Sequence, residues 1–371
     1  MSWFRRGDKK DAVESPAKPV QATPALTTSS TADSATKAPS AAISKVSRTD
    51  EERLANLSER RTPDRLADLF LVMEEHLNEL ELEDIRELVA SLRQPPPLVE
   101  RLTVGLDDPD ELREAILSSP TLSADVLRVV NSAAFALSNP ISSIEHAVTY
   151  LGTTMVRGLV LQSAVGQVMK FETDVQKAAY MRIWRSSYVA SAAAQAYATA
   201  LDFEHPSVHA TRALLVNIGD LALISARPEL SIIYAPKTEV LRRVEAQQEE
   251  VMANSAVLSS MLTRQWGLPE DICQALRYSL TPLLWSPQSN EREGQQIKED
   301  LVLYMACRVG DQVAYSGLKD LTEFDFLAQE SLDFFFLPDY LRREGMGGLL
   351  AVLADRKLGR RVQQIVDTFG G

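Results

Sequence analysis

Apolar positions recur along this chain at three- and four-residue spacing almost throughout, interrupted by short polar turns. The most apolar stretch is residues 214–224, Leu-Leu-Val-Asn-Ile-Gly-Asp-Leu-Ala-Leu-Ile, with Asn217 and Asp220 as its only polar side chains. A run of that length predicts a helix buried on every side. Leu66, Leu69, Phe70, Met73, Leu77 and Leu80 predict an amphipathic helix. Leu82, Ile85, Leu88, Val89 and Leu92 predict a second, after a break near Glu81. Asp108-Pro109-Asp110 starts a helix that residues 118–120 end, and Thr121 or Ser123 caps the next. Ile144, Ala147, Val148 and Leu151 form a short helix closed by Gly152. No sustained two-residue alternation predicts a strand. The fold class that follows is all-α, a multi-helix globule.

Composition divides this helical pattern into four stretches. Residues 1–50 are rich in Ala, Ser, Thr, Pro and Lys and cannot bury enough apolar surface to offset their ordering entropy, so a disordered tail is expected. Residues 51–93 are expected to form an acidic helical hairpin, since positions 50–92 hold thirteen acidic and five basic residues. Gln94-Pro95-Pro96-Pro97 cannot continue a helix and marks the start of a main domain over 94–290. Residues 291–371 read as a C-terminal helical extension packed on that domain. There Phe324, Phe326, Leu327, Leu332, Phe334, Phe335, Phe336 and Leu337 are core candidates. In the last helix Leu358, Val362, Ile365 and Val366 should face inward and Arg356, Lys357, Arg360 and Arg361 outward.

A net charge of −12 argues against nucleic acid as a partner, because phosphate binding needs a positive surface. No apolar span reaches the roughly 18 residues of a membrane helix and no leader h-region opens the chain, so a cytoplasmic protein without stable membrane insertion is expected. Cys273 and Cys307 have neither disulfide-framework nor metal-ligand spacing. His205 and His209, four apart at a helix entrance marked by Pro206, supply two imidazoles where a closed zinc site needs four ligands.

Three spaced motifs carry a family resemblance. Ser119-Pro120-Thr121-Leu122 leads into Val126-Leu127-Arg128-Val129-Val130-Asn131-Ser132-Ala133; Ile144-Glu145-His146-Ala147-Val148 is followed by Leu151-Gly152; and Trp266-Gly267-Leu268-Pro269 comes later. In this order they resemble the signature of the HDOD domain, the HD-related output domain of bacterial signalling proteins. Asn131, Ser132, Leu151, Gly152, Trp266 and Pro269 are then structural signature positions. The resemblance implies an HD-superfamily fold, whose hydrolases hold a metal among a His, a His-Asp pair and a distant Asp. At those positions this chain carries Ser186, Val216-Asn217 and Cys307. Valine has no donor atom, and serine and amide are poor transition-metal ligands. The resemblance therefore implies a signal-transduction module without metal, cofactor or hydrolytic activity, acting on regulatory protein partners. Two alternatives stand beside it. One is a nucleotide sensor, for example of cyclic di-GMP, using a vestigial pocket lined by Ser186, Asn217, Asp220 and Cys307. The other is a degenerate phosphohydrolase with a site relocated to His205 and His209.

Overall fold

A computed structural model describes residues 47–92, 108–131 and 140–369, and among these residues there are α-helices and short 3-10 segments but no strand. The first helices are α1 (Arg48–Leu57), α2 (Asp64–Ala67) and α3 (Glu79–Ala90). They are followed by α4 (Pro109–Leu117), α5 (Pro120–Val130), α6 (Ile144–Leu151) and α7 (Thr153–Val168). The central group is α8 (Asp174–Ala200), α9 (Pro206–Leu215), α10 (Ile218–Ala226), α11 (Val240–Val251) and α12 (Ser255–Gln265). The chain continues through α13 (Glu270–Arg277), α14 (Thr281–Leu284), α15 (Gln295–Tyr315), α16 (Leu337–Arg343) and α17 (Arg356–Phe369). The all-α expectation holds. The tail through residue 46, the triple proline and Ser132 lie outside the described residues.

Helix α8 is the axis. Thr173 and Gln176 form a reciprocal capping box at its start, which satisfies amides that no helical carbonyl reaches. Its buried run of Ala190, Ser191, Ala192, Ala193 and Ala194 has little side-chain bulk, so α9 and α15 pack directly on it. At the tightest point a Cβ on Gly310 of α15 would lie 2.3 Å from the carbonyl oxygen of Ser186, so only glycine permits this approach.

The signature positions are structural. Asn131 follows α5, where its amide nitrogen donates to Leu127 O at 2.8 Å and Ile141 O at 2.7 Å. Its Oδ1 accepts from Ile141 N at 2.7 Å, so one side chain ties the helix end to backbone ten residues on. Gly152, at φ +79°, ends α6 and starts α7 in the left-handed region that favours glycine. Leu151 and Trp266 are buried, and Pro269 precedes α13 as its N-cap.

Five expectations are corrected. Residues 47–92 are not a hairpin: α1, a single turn, a 3-10 turn and α3 follow one another along the body. The segment from 68 to 73 is not helical, and Phe70 and Leu80, expected on an inward stripe, are 57% and 80% exposed. The reason is that other side chains take its backbone groups. Gln248 donates to Phe70 O at 2.8 Å and accepts from Val72 N at 2.9 Å, and Asn254 donates to Val72 O at 2.7 Å. The helix after α4 starts at Pro120, ahead of both proposed caps, with proline at its first position where no amide is needed. The apolar run 214–224 is two helices broken at Val216 and Asn217. Finally, Arg361 does not face outward with its basic neighbours; it is half-buried and donates to Gln195 Oε1 of α8 at 2.8 Å. The aromatic cluster 324–337 is core, with Phe324, Phe326 and Phe334 packed ring against ring.

Candidate functional site

The break between α9 and α10 is built by a serine. Ser259 Oγ donates to Val216 O at 2.8 Å and accepts from Gly219 N at 2.8 Å, so a hydroxyl from α12 supplies the partners a continuous helix would provide. Asn217 begins α10, half-buried, and its amide donates to Ser187 Oγ on α8 at 3.0 Å. Asp220, one turn on, is buried and accepts from Tyr234 Oη at 2.8 Å and Gln247 Nε2 at 2.9 Å. Burial pushes the Asp220 carboxyl up from the usual carboxylate range, and the nearby Arg243 guanidinium opposes this.

Ser186 and Cys307 meet the same region from α8 and α15. Ser186 Oγ donates to Asp311 Oδ1 at 2.8 Å. The other carboxylate oxygen of Asp311 takes Arg243 at 2.6 Å and Arg308 at 3.0 Å, so one carboxylate holds three side chains from three helices. Arg243 also stacks over the Tyr315 ring at 4.3 Å. Cys307 is buried beside this cluster, and burial pushes its thiol up to about 12, so it remains a thiol at neutral pH.

Ser186, Asp220 and Cys307 therefore share one electrostatic neighbourhood, with Asn217 bonded to Ser187 next to Ser186, but the four are not free linings of a cavity. Ser186, Asp220 and Cys307 are buried, and the polar atoms of Ser186, Asn217 and Asp220 are engaged with protein groups. Sequence reading missed Arg243, Asp311, Tyr234 and Gln247, which occupy the space around them. One signal was available: Arg308 and Asp311, three residues apart, are the only charges in the mainly apolar run of 301–314. Buried charges of that kind must find partners.

The two histidines do not form a joint site. His205 is exposed at the start of α9, 3.8 Å from Glu204. His209 is buried against Phe203, with ring centroids 4.9 Å apart. Burial, aided by Arg212, pushes the His209 imidazole down to about 4, so it is neutral at pH 7. Among the described residues no three His, Cys, Asp or Glu side chains converge in a metal-holding arrangement.

Comparison with known proteins places this geometry. Residues 92–282 match the HDOD domain. Over 200 residues the chain is 24% identical to an uncharacterized protein of Treponema pallidum (strain Nichols), a match covering 53% of this chain and 38% of that protein. The matched segment thus spans under two-fifths of that relative's length. A candidate phosphohydrolase from Shewanella amazonensis SB2B has a similar fold, with a TM-score of 0.51, 21% identity, and 77% of this chain and 97% of that one covered. So has a candidate signal transduction protein from Marinobacter aquaeolei VT8, with a TM-score of 0.55, 18% identity, and 82% and 68% covered. At these identities the likeness establishes the helical fold.

Proposed function

The chain belongs to the HDOD domain family, and on that premise we propose that it is a signalling module that acts through protein contact and catalyses no metal-dependent hydrolysis. The observation that carries this reading is the clamp around Asp311. Beside Ser186 and Cys307, two positions where the resemblance would put metal ligands, the Asp311 carboxylate is already bound by Arg243, Arg308 and Ser186. Two guanidinium groups are themselves the counter-charge there, and a divalent cation would have to displace them or sit beside them at a Coulombic cost. Hydrolysis in such sites depends on the metal to generate hydroxide near neutral pH. None of Ser186, Val216, Asn217 and Cys307 supplies an anionic ligand to recruit one.

The same burial argues against a nucleotide sensor built on Ser186, Asn217, Asp220 and Cys307, since a ligand the size of cyclic di-GMP needs an open cleft lined by unengaged polar groups. A site relocated to His205 and His209 has one exposed and one enclosed imidazole and, among the described residues, no third ligand converging on them. What remains for function is surface. Calorimetric titration of the full chain with manganese, nickel or ferrous ion, and with cyclic di-GMP, tests the reading. No saturable heat is expected from any of them; saturable binding that Asp220→Asn weakens would show that the buried cluster is a working site.

A further inference from the structure

A cleft of about 650 Å³ opens on the side of the molecule where the start of α9 meets the starts of α13 and α15 and the end of α16. Five carboxylates line it against two fixed cations, Arg212 and Lys298. Arg212 is already neutralised, clamped by Glu299 at 2.7 Å and Asp271 at 3.2 Å. The cleft is therefore negative on balance, with Glu344 also 3.8 Å from Arg343 outside the lining.

Acidic lining alone does not distinguish this cleft. A second groove of about 470 Å³, bordered by Glu81, Asp84, Glu87 and Glu250 with only Arg227 opposing, is just as negative. The difference is His209. It lines the first cleft, is 7% exposed, and makes no hydrogen bond among the described residues. Its ring nitrogens are not sealed in the core but reach the water of the cleft, where a ligand group can meet them. With its pKa pushed down by burial and by Arg212, this imidazole is neutral and offers an acceptor lone pair. Beside it, the half-buried Phe203 ring provides an aromatic wall.

We propose that this cleft binds an arginine side chain of a partner protein, with His209 as an acceptor, Phe203 as a stacking surface, and Glu204 and Glu344 as the counter-charge. Each element suits a guanidinium. Its planar face stacks on aromatic rings, its five N–H donors form forked bonds to carboxylates, and one donor can reach a neutral imidazole. An ammonium group uses the charge but not the plane. The proposal rests on the reading of the chain as a protein-contact module and names the chemistry of one such contact.

The test is fluorescence anisotropy of a labelled, end-blocked Arg-Gly-Arg-Gly-Arg peptide titrated with the full chain, against a matched lysine peptide. Saturable binding of the arginine peptide, tighter than the lysine peptide, is expected. Glu204→Gln with Glu344→Gln should weaken it about tenfold, as should His209→Leu, whereas Glu81→Gln with Asp84→Asn in the second groove should leave it unchanged. Glu204 is exposed and paired only with the exposed His205, so Glu204→Gln alone keeps the test valid should His209→Leu unfold the chain. Absence of binding at millimolar concentration, equal affinity for the two peptides, or equal losses from both grooves would overturn the proposal. Hydrolytic turnover would remove the protein-contact reading instead, so the two failures are separate.

Discussion

Asp311 holds together groups that would otherwise be stranded. Arg243 and Arg308 are both buried, and burial of a guanidinium without its carboxylate is costly. Asp311→Ala should therefore lower unfolding free energy by about 3–5 kcal/mol, measured by urea denaturation. Ser186→Ala removes one neutral donor from the same carboxylate and should cost about 1 kcal/mol. A second residue-scale test uses pH. The folded-state pKa of His209 is about 4 against an ordinary 6.5, so between those values the unfolded chain binds the proton and the native one does not. Its contribution is complete above pH 6.5 and is lost as pH falls towards 4, on the order of 3 kcal/mol in all. Asp300, raised to about 6 mainly by burial, acts in the opposite sense and favours the native state at the acid end of that window. The informative quantity is thus the difference between wild type and His209→Phe, which should have a shallower acid loss of stability. Some of this was legible in the sequence: the roles of Asn131 and Gly152 could be read from local motifs. The partnership of Arg243 with Asp311 could not, because its members are far apart along the chain and neither has a local pattern that names the other.

At the scale of elements, residues 47–92 are held on the main body by long-range contacts. Arg65 forms a bidentate pair with Glu245, Arg264 pairs with Glu74, and Glu59 N donates to Asp339. Leu54, Leu66, Leu71, Met73, Ile85 and Val89 are buried in the common core. A chain starting at Gln94 would expose the surface these side chains cover, at about 25 cal/mol per Å² of apolar area. It should be recovered as aggregate or with a lowered thermal midpoint; a soluble, equally stable truncated chain would contradict this. Asn254→Ala should remove both the anchor at Val72 and the N-cap of α12, at a cost of about 1–3 kcal/mol, and raise amide exchange in 68–78 and at the start of α12. The sequence was misleading here for a definable reason. A wrapping segment that drops an apolar anchor every three or four residues has the same spacing as a helix face. What separates them is where the backbone hydrogen bonds go, and Gln248 and Asn254 decide that from another helix. The break at Val216 and Asn217 was hidden similarly, since its partner is Ser259 and the run itself is apolar on both sides.

Over the whole molecule, the helical HDOD frame encloses an ionic cluster satisfied by protein side chains. The apolar core runs from Leu54 to Ile365, so the family-matched region, the preceding segment and the C-terminal helices stabilise one another. A frame of this kind can present surfaces without running a reaction, and the two acidic clefts are among the surfaces it presents. The proposed absence of metal-dependent chemistry is checked by turnover. Full-length protein would be supplied with manganese, nickel or ferrous ion and assayed against a phosphate monoester, a phosphate diester and cyclic di-GMP. Release no faster than with metal and buffer alone is expected; turnover that chelator abolishes and added metal restores would contradict the proposal.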